Sequence, residues 1–370
     1  MLFKGIRVLD LSNLLPGPMC SLFLADLGAD VIKVENIKGD PMRGFEVKNN
    51  QSPYFSALNR NKRSISLNLK TAEGKEIFMK LAKLSDVIIE SFRPGKMDSL
   101  GIGYDDVKKI NSKIIYCSLS GYGQNGKFKD RAGHDLNYSS LSGLLDVMHS
   151  KPLVPGVQVA DIGCALMAAF SIASSLFNRE RGGEGNYIDM SIFHSALSLI
   201  NIHIAQRSVS KKSETILSGT KPCYNIYETK DGRHLSIGAI ENKFWESFCN
   251  ASNRKDLLAR QFDIAAISEM KKLFKSKNMG EWLDLNEKYD FCCEPIKTIE
   301  EIISDPYYKN RYLLQLDGIT QVTMPILLSS LSKAEYKKAP KLGEHTKDIL
   351  SFIGYKSNTI KKLKSRKVIL

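Results

Sequence analysis

The strongest constraint on the fold is an alternation of short apolar segments with helical segments along the first third of the chain. The predicted strands are residues 5–12, 29–34, 86–90 and 113–118. The predicted helices are residues 19–27, 71–84 and 104–110. Thr71 is a candidate cap for the second of these helices. Strands that alternate with helices through short links predict an α/β fold with a parallel sheet and helices on both faces.

The second half of the chain predicts a smaller domain and a return to the first. A helix at 161–181, a strand at 186–190 and a helix at 192–204 extend the alternation. Residues 224–240 predict two strands around a turn at Lys230-Asp231-Gly232. Another helix is predicted around residues 348–353. We therefore expect a large α/β domain over 1–207, a linker over 208–222, a small α+β domain over 223–318 and a C-terminal return over 319–370.

Composition narrows the functional classes. The chain has 370 residues, 43% of them hydrophobic, and a formal net charge of +13, which suits a globular protein of about two domains. Its lysines are spread along the chain without interleaved aromatic residues, so we expect no nucleic-acid partner and favour a small polyanionic ligand. The seven cysteines lack metal-ligand spacing and predict a reducing compartment, the cytoplasm. No signal peptide or membrane span is predicted, because the longest apolar stretch, 165–177, is too short.

An ordered set of short motifs carries more information than the pattern. The motifs are Leu-Leu-Pro-Gly-Pro at 14–18, Ala-Asp-Leu-Gly-Ala-Asp-Val-Ile-Lys-Val-Glu at 25–35, Asn-Arg-Asn-Lys-Arg-Ser at 59–64, Phe-Arg-Pro-Gly at 92–95, Ser-Gly-Tyr-Gly-Gln at 120–124, Ala-Gly-His-Asp at 132–135 and Gly-Glu-His-Thr at 343–346. In this order and spacing, from about residue 4 to 355, the set resembles the family III CoA-transferase superfamily, which includes the 2-methylacyl-CoA racemases. The resemblance implies a CoA-thioester enzyme built as an interlocked homodimer. Its large domain would be Rossmann-like and CoA-binding, completed by the C-terminal tail.

Binding of CoA requires cations near the rim of a narrow apolar slot, since the ligand carries a diphosphate and a 3′-phosphate. Candidate cations near strand ends are Arg60, Lys62, Arg63, Lys70 and Arg93. The resemblance favours Lys70 and Arg93 and implies further CoA contacts from Pro16, Leu67, Leu69 and Tyr138. Two positions depart from the pattern, because Asn36 and Ser99 stand where relatives often carry arginine. The Pro16-Gly17-Pro18 turn either directs backbone N–H groups at an anion or is only a rigid turn.

Three side chains and one backbone group are the catalytic candidates. Asp161 matches the superfamily's catalytic aspartate, and the alternative is an ordinary helix N-cap. His134 matches the racemase-type members and suits a proton carrier, whereas a lone histidine is more often structural or exposed. The resemblance implies that Glu241 holds the histidine from the other domain, the alternative again being an N-cap. A backbone N–H near Asp135 is a candidate donor to the thioester oxygen.

These residues predict racemisation or epimerisation of a 2-methylacyl-CoA, with the α-carbon between His134 and Asp161. No metal, nicotinamide or flavin is needed, and the sequence leaves the acyl group open. The nearer alternative is a CoA-transferase that forms an acyl anhydride on Asp161. The more distant alternative is a non-enzymatic basic protein that uses the fold as a scaffold.

Overall fold

The chain folds into two compact units. The computed structural model describes residues 1–148, 151–210, 215–326, 329 and 335–370. The large unit comprises Met1–Leu145, Leu153–Ile200 and Arg311–Leu370, and the small unit comprises Asp146–Pro152 and Asn201–Asn310.

A six-stranded parallel sheet organises the large unit. Its strands are β1 (Arg7–Asp10), β2 (Asp30–Glu35), β3 (Arg63–Ser66), β4 (Val87–Glu90), β5 (Ile115–Ser120) and β6 (Asn186–Ser191). They lie in the order β3-β2-β1-β4-β5-β6, which is that of a doubly wound Rossmann sheet. The predicted α/β class is therefore confirmed. In such sheets, ligands bind beyond the carboxyl ends of the strands, near the point where the strand order reverses, here between β1 and β4.

The helices between β1 and Leu199 connect the strands of this sheet and cover it. They are α1 (Pro16–Asp26), α2 (Pro53–Asn59), α3 (Ala72–Lys83), α4 (Lys96–Ser99), α5 (Tyr104–Ile110), α6 (Asp135–Leu141), α7 (Leu144–Met148), α8 (Val159–Glu180) and α9 (Ile192–Leu199). Thr71 caps α3 as predicted, because its Oγ1 accepts a hydrogen bond of 3.1 Å from the Gly74 N–H. The single helix predicted over 192–204 is wrong: the chain leaves helical geometry at Ile200, and a second helix follows.

Helix α8 packs one face into the core of the large unit. By length and composition it could cross a membrane, a test that core helices of soluble proteins also pass. One of its faces is fully buried through Cys164, Ala165, Ala168 and Ile172. Its first turn carries Asp161.

The small unit is built on a three-stranded antiparallel sheet. Its elements are α10 (Asn201–Val209), β7 (Tyr224–Glu228), β8 (His234–Gly238), α11 (Asn242–Ala251), α12 (Ile267–Phe274), α13 (Met279–Tyr289), β9 (Cys293–Pro295), α14 (Ile299–Ser304) and α15 (Pro306–Arg311). The predicted hairpin is confirmed, with Gly232 at φ +73° in the turn between β7 and β8. Buried aromatic rings of Trp245, Phe248, Phe274 and Trp282 form the centre of its core.

The C-terminal segment completes the large unit. It contains β10 (Leu313–Leu316), β11 (Ile319–Val322), α16 (Thr346–Phe352) and α17 (Ser357–Ser365). Ile349, Leu350 and Leu363 pack in the same hydrophobic cluster as the sheet, so the tail is part of this core.

The unit boundaries differ from the predicted domains 1–207, 223–318 and 319–370. The second segment of the large unit ends at Ile200, because α10 belongs to the small unit. It resumes at Arg311, since β10 pairs antiparallel with β11 and cannot be separated from the return. Residues 211–214 of the predicted linker lie outside the described residues.

Candidate active site

A cavity of about 490 Å³ opens at the carboxyl ends of β1, β4, β5 and β6 in the large unit. Five predicted site residues line it together: Pro16, Arg93, His134, Tyr138 and Asp161. Its position beside the reversal in strand order is where doubly wound sheets bind ligands. The cavity therefore joins residues that are far apart in the chain.

His134 is exposed at the start of α6, and hydrogen bonds with Asn137 fix its backbone. The His134 N–H donates to Asn137 Oδ1 at 3.0 Å, and the Asn137 N–H donates to the His134 carbonyl at 2.8 Å. Both bonds use only the main chain of His134. These bonds fix the backbone at the point where the His134 side chain lines the cavity.

Asp161 is the third residue of α8 and does not cap it, because Gln158 occupies the N-cap position. Its N–H donates to Asp135 Oδ1 at 3.0 Å, which holds the two carboxylates near each other. Burial and the charge of Asp135 raise the pKa of Asp161 to about 7. Near neutral pH this carboxyl group therefore populates both its protonated and its ionised form.

Tyr138 contacts the segment that precedes His134 and limits its movement. Its hydroxyl donates to the Gly133 carbonyl at 2.6 Å, and its ring packs edge-on against Tyr122 with centroids 5.1 Å apart. A Cβ on Gly133 would lie 2.8 Å from the Tyr138 ring, and one on Gly121 would lie 2.6 Å from the Tyr138 hydroxyl. Both positions therefore require glycine. Burial raises the pKa of Tyr138 to about 12, so this hydroxyl stays a donor.

A second cavity, of about 430 Å³, lies at the carboxyl ends of β2 and β3 and shares Asn13 and Phe92 with the first. The predicted CoA residues Leu67, Leu69 and Lys70 line it. So do Lys38 and Lys96, which the sequence analysis missed. Lys38 follows Asn36 by two residues, so the cavity keeps a cation next to the position where the expected arginine is absent.

Three of the predicted phosphate-binding cations are instead neutralised within the fold. Arg60 Nη2 lies 2.6 Å from Asp26 Oδ2, and Lys62 Nζ lies 3.1 Å from Asp10 Oδ2, both in buried pairs. Arg63 Nη2 lies 2.6 Å from Asp30 Oδ2 at the amino ends of β3 and β2, the edge opposite the cavities. Their assignment as candidate CoA cations is corrected, because each already has a carboxylate partner.

The Pro16-Gly17-Pro18 turn begins α1 directly. Proline has no N–H, and the Met19 N–H bonds to the Leu15 carbonyl. Only Gly17 could offer an N–H to an anion, so the geometry favours the rigid turn. A Cβ on Gly17 would lie 2.1 Å from the Ser12 side chain, so no larger residue fits.

Glu241 lies in the small unit at the N-cap position of α11. Its carbonyl accepts from the Phe244 N–H at 3.0 Å, while its carboxylate makes no capping bond. The Glu241 side chain therefore does not cap α11, which was the alternative to a role in the active site. The contact between Glu241 and His134 stays a prediction.

The described residues contain no group of three His, Cys, Asp or Glu side chains placed to hold a metal ion. Cys117 is fully buried in β5. Burial raises its pKa well above the ordinary value, which is the opposite of what a reactive thiolate needs.

Known proteins similar to this chain belong to one family and include both a racemase and CoA-transferases. The sequence profile of CoA-transferase family III matches residues 3–346. Human alpha-methylacyl-CoA racemase is 34% identical, covering 100% of this chain and 98% of its own length. Mouse succinyl-CoA:glutarate CoA-transferase is 33% identical, covering 97% and 88%. The crystal structure of a CAIB/BAIF family protein from Brucella suis superposes with a TM-score of 0.84 at 28% identity, covering 95% and 99%.

Proposed function

Because the chain belongs to CoA-transferase family III, we propose that it racemises or epimerises 2-methylacyl-CoA thioesters by proton transfer at the α-carbon. The observation that carries this proposal is that His134 and Asp161 line one cavity. An imidazole is well suited to carry a proton at neutral pH. Asp161, with a pKa of about 7, also holds or releases a proton there. The cavity thus contains the two acid–base groups that inversion of one carbon requires.

In the proposed reaction, one group removes the α-proton and the C–H electron pair forms the enolate of the thioester. The other group then donates a proton to the opposite face, so one proton leaves, one arrives and the composition of the substrate is unchanged. A well-placed base contributes about 10²–10⁴-fold to such a step. We assign the Asp135 N–H, which bonds to no described residue of the large unit, as the donor to the enolate oxygen. A donor of this kind contributes about 3–4 kcal/mol.

The second cavity suits the nucleotide end of CoA. Lys38, Lys70 and Lys96 offer cations to the phosphates, and Leu67 and Leu69 offer apolar surface to the pantetheine arm. Asn13 and Phe92, shared by both cavities, would guide this arm toward His134. We further propose that the protein is a cytoplasmic homodimer in which Glu241 orients the His134 ring.

The test is epimerisation of a single 2-methylacyl-CoA epimer in deuterated water. Wild type is expected to scramble the α-carbon and to incorporate deuterium. His134→Ala is expected to lower the epimerisation rate by about 10²–10⁴-fold. His194→Ala is the matched control, because His194 is exposed on α9 and does not line the cavity. An unchanged rate in His134→Ala would overturn the proposed role of the imidazole.

A CoA-transferase is the second candidate, favoured by the similarity to mouse succinyl-CoA:glutarate CoA-transferase. In that reaction the Asp161 carboxylate attacks the thioester carbonyl, CoA thiolate leaves, and an acyl anhydride forms. Hydroxylamine would convert this anhydride to a hydroxamate on Asp161. Trapping of such an adduct, with CoA transfer preserved in His134→Ala, would favour the transferase over the racemase.

A further inference from the structure

One buried hydroxyl in the cavity that contains His134 and Asp161 has no hydrogen-bond partner within the described part of the chain. It belongs to Ser120, the last residue of β5, which lines the cavity and is 7% exposed. By contrast, the Ser91 hydroxyl in the same lining accepts from the Asn13 N–H at 3.0 Å. Buried polar groups are nearly always paired, because an unpaired one loses its bonds to water without compensation. The unpaired Ser120 hydroxyl therefore indicates a partner that a ligand supplies.

Ser120 lies beside the segment that leads into His134. A Cβ on Gly121, the residue after Ser120, would lie 2.6 Å from the Tyr138 hydroxyl. The same hydroxyl donates to the Gly133 carbonyl at 2.6 Å, directly before His134. Tyr138 thus connects the end of β5 to the start of α6. Since a serine hydroxyl moves by rotation about a single Cα–Cβ bond, it can turn toward a ligand in the cavity without a change in the backbone.

The location on β5 indicates which part of a CoA thioester this hydroxyl meets. The second cavity, to which the nucleotide end is assigned, is drawn from the ends of β1 to β4 and the residues that follow them. The end of β5 belongs instead to the cavity that contains the acid–base pair. The acyl group of a 2-methylacyl-CoA is hydrocarbon except for its carbonyl, so the carbonyl oxygen is its one strong hydrogen-bond acceptor. A hydroxyl donor at the acyl end therefore meets the thioester oxygen.

We propose that Ser120 is a further catalytic residue, whose hydroxyl donates to the thioester oxygen as a second donor beside the Asp135 N–H. The inference rests on the proposed function in placing the α-carbon between His134 and Asp161. As the C–H electron pair forms the enolate, negative charge collects on this oxygen and the hydrogen bond becomes stronger. The bond therefore stabilises the enolate more than the bound substrate, which is the condition for a faster reaction. Ser120 keeps its proton, and no covalent bond to it forms or breaks.

The experiment uses the full chain and isobutyryl-CoA with an isotopic label in its carbonyl carbon. Inversion of the α-carbon of this thioester returns the same molecule, so only exchange of the α-hydrogen changes the sample. In deuterated water, Ser120→Ala is expected to lower the rate of α-deuterium uptake at saturating thioester by about 10²–10³-fold. The infrared carbonyl band of the bound thioester is expected at lower frequency in wild type than in Ser120→Ala, because donation to the oxygen weakens the C=O bond.

Three further measurements separate this role from a structural one. Ser120→Thr keeps a hydroxyl and is expected to retain the wild-type band position and part of the rate. Ser140→Ala is the matched control, because Ser140 is exposed on α6 and lies outside the cavity lining. The melting temperature of Ser120→Ala should not fall, since the hydroxyl that it removes bonds to no described residue.

Two results would overturn the inference. One is an equal exchange rate and an equal carbonyl band in wild type and Ser120→Ala, which would mean that water alone satisfies the hydroxyl. The other is weaker binding of the thioester to Ser120→Ala with an unchanged band, which would assign the hydroxyl to another part of CoA. Failure of the proposed function would show instead as absence of α-deuterium uptake in wild type, whereas the carbonyl band reports the hydrogen bond without turnover.

Discussion

Two aspartates at the carboxyl side of the same sheet have pKa values shifted in opposite directions. Asp10, at the end of β1, is fully buried. Burial alone would raise its pKa, but the Lys62 and Lys33 ammonium groups and two serine hydroxyls hold the pKa well below its usual range. Asp161 is partly buried and has no cation beside it among the described residues, so burial, and then the charge of Asp135, raise its pKa to about 7. Burial acts in the same direction on both aspartates, so the two ammonium groups beside Asp10 account for the opposite shift of its pKa.

The surroundings of Asp10 explain its structural role. Asp10 Oδ2 accepts from Ser21 Oγ at 2.5 Å and from Lys62 Nζ at 3.1 Å. Its Oδ1 accepts from the N–H and hydroxyl of Ser12. Lys33 extends the network, donating to the Ser12 carbonyl at 2.9 Å. Because every polar group in this network has a partner, the network fixes the loop between β1 and α1. Asn13 of this loop and Pro16 of α1 line the cavity that contains His134 and Asp161.

The largest effect is expected on the epimerisation rate when Asp161 is replaced. Asp161→Asn keeps the shape of the side chain but removes the exchangeable proton, so we expect the epimerisation rate to fall by about 10²–10⁴-fold. The free energy of unfolding should not fall. Asp284→Asn, an exposed change on α13, is the matched control for both measurements. Comparable activity in Asp161→Asn and wild type would show that Asp161 does not take part in the proton transfer.

The reverse effect is expected at Asp10. Asp10→Asn leaves Lys62 and Lys33 buried with one counter-charge fewer, which should cost about 3–5 kcal/mol in the free energy of unfolding. Urea denaturation at neutral pH measures this cost, with Asp284→Asn again as control. A loss below about 1 kcal/mol would mean that the network does not depend on the Asp10 charge.

The same network predicts acid sensitivity. The folded-state pKa of Asp10 is lowered, so the stability it contributes is present above its unfolded pKa of 3.8 and is lost as pH falls. Asp161 acts in the opposite sense. Between its unfolded pKa of 3.8 and about 7 the native state binds more protons than the unfolded state, and stability falls as pH rises.

Thermal unfolding of wild type and Asp161→Asn from pH 4 to pH 8 tests the Asp161 part of this contrast. The variant cannot ionise, so its melting temperature relative to wild type should increase with pH and level off above about 7. A difference that is constant across this range would show that Asp161 titrates normally.

The smallest expected effect concerns Asp135. Asp135→Asn removes the like charge but keeps an oxygen that can accept from the Asp161 N–H. For the epimer whose proton Asp161 removes, the rate rises with pH as Asp161 ionises. We expect this limb of the pH–rate profile to move to lower pH in the variant, because the pKa of Asp161 falls. A limb that stays in place would assign the raised pKa to burial alone.

Sequence patterns predict most of the sheet and fail where a strand is short or polar. Strands β1, β2, β4, β5 and β6 lie within two residues of their predicted bounds. Strand β3 was missed, since Arg-Ser-Ile-Ser has only one apolar residue and is buried by the fold around it. Helix α17 was not predicted, because it is rich in lysine and only one of its residues, Leu363, is buried, which gives no apolar helical pattern.

The site shows a similar limit. His134 and Asp161 lie in recognisable motifs, and the structure brings them to one cavity. The cations are less predictable, because a charge is recognised as structural only through its partner. Arg60 pairs with Asp26, 34 positions away, and Lys62 pairs with Asp10, 52 positions away. Conversely, Lys129 and Arg131 carry no local signal, and only the fold places them beside the reacting groups.

The two-base arrangement is tested most directly by separating deuterium exchange from epimerisation in a one-base variant. In His134→Gln, Asp161 remains and can still remove and return a proton on its own face of the α-carbon. Incubation of each pure epimer in deuterated water should therefore show exchange for one epimer only, with its configuration retained and epimerisation lost. Epimerisation at the wild-type rate in His134→Gln would contradict the account.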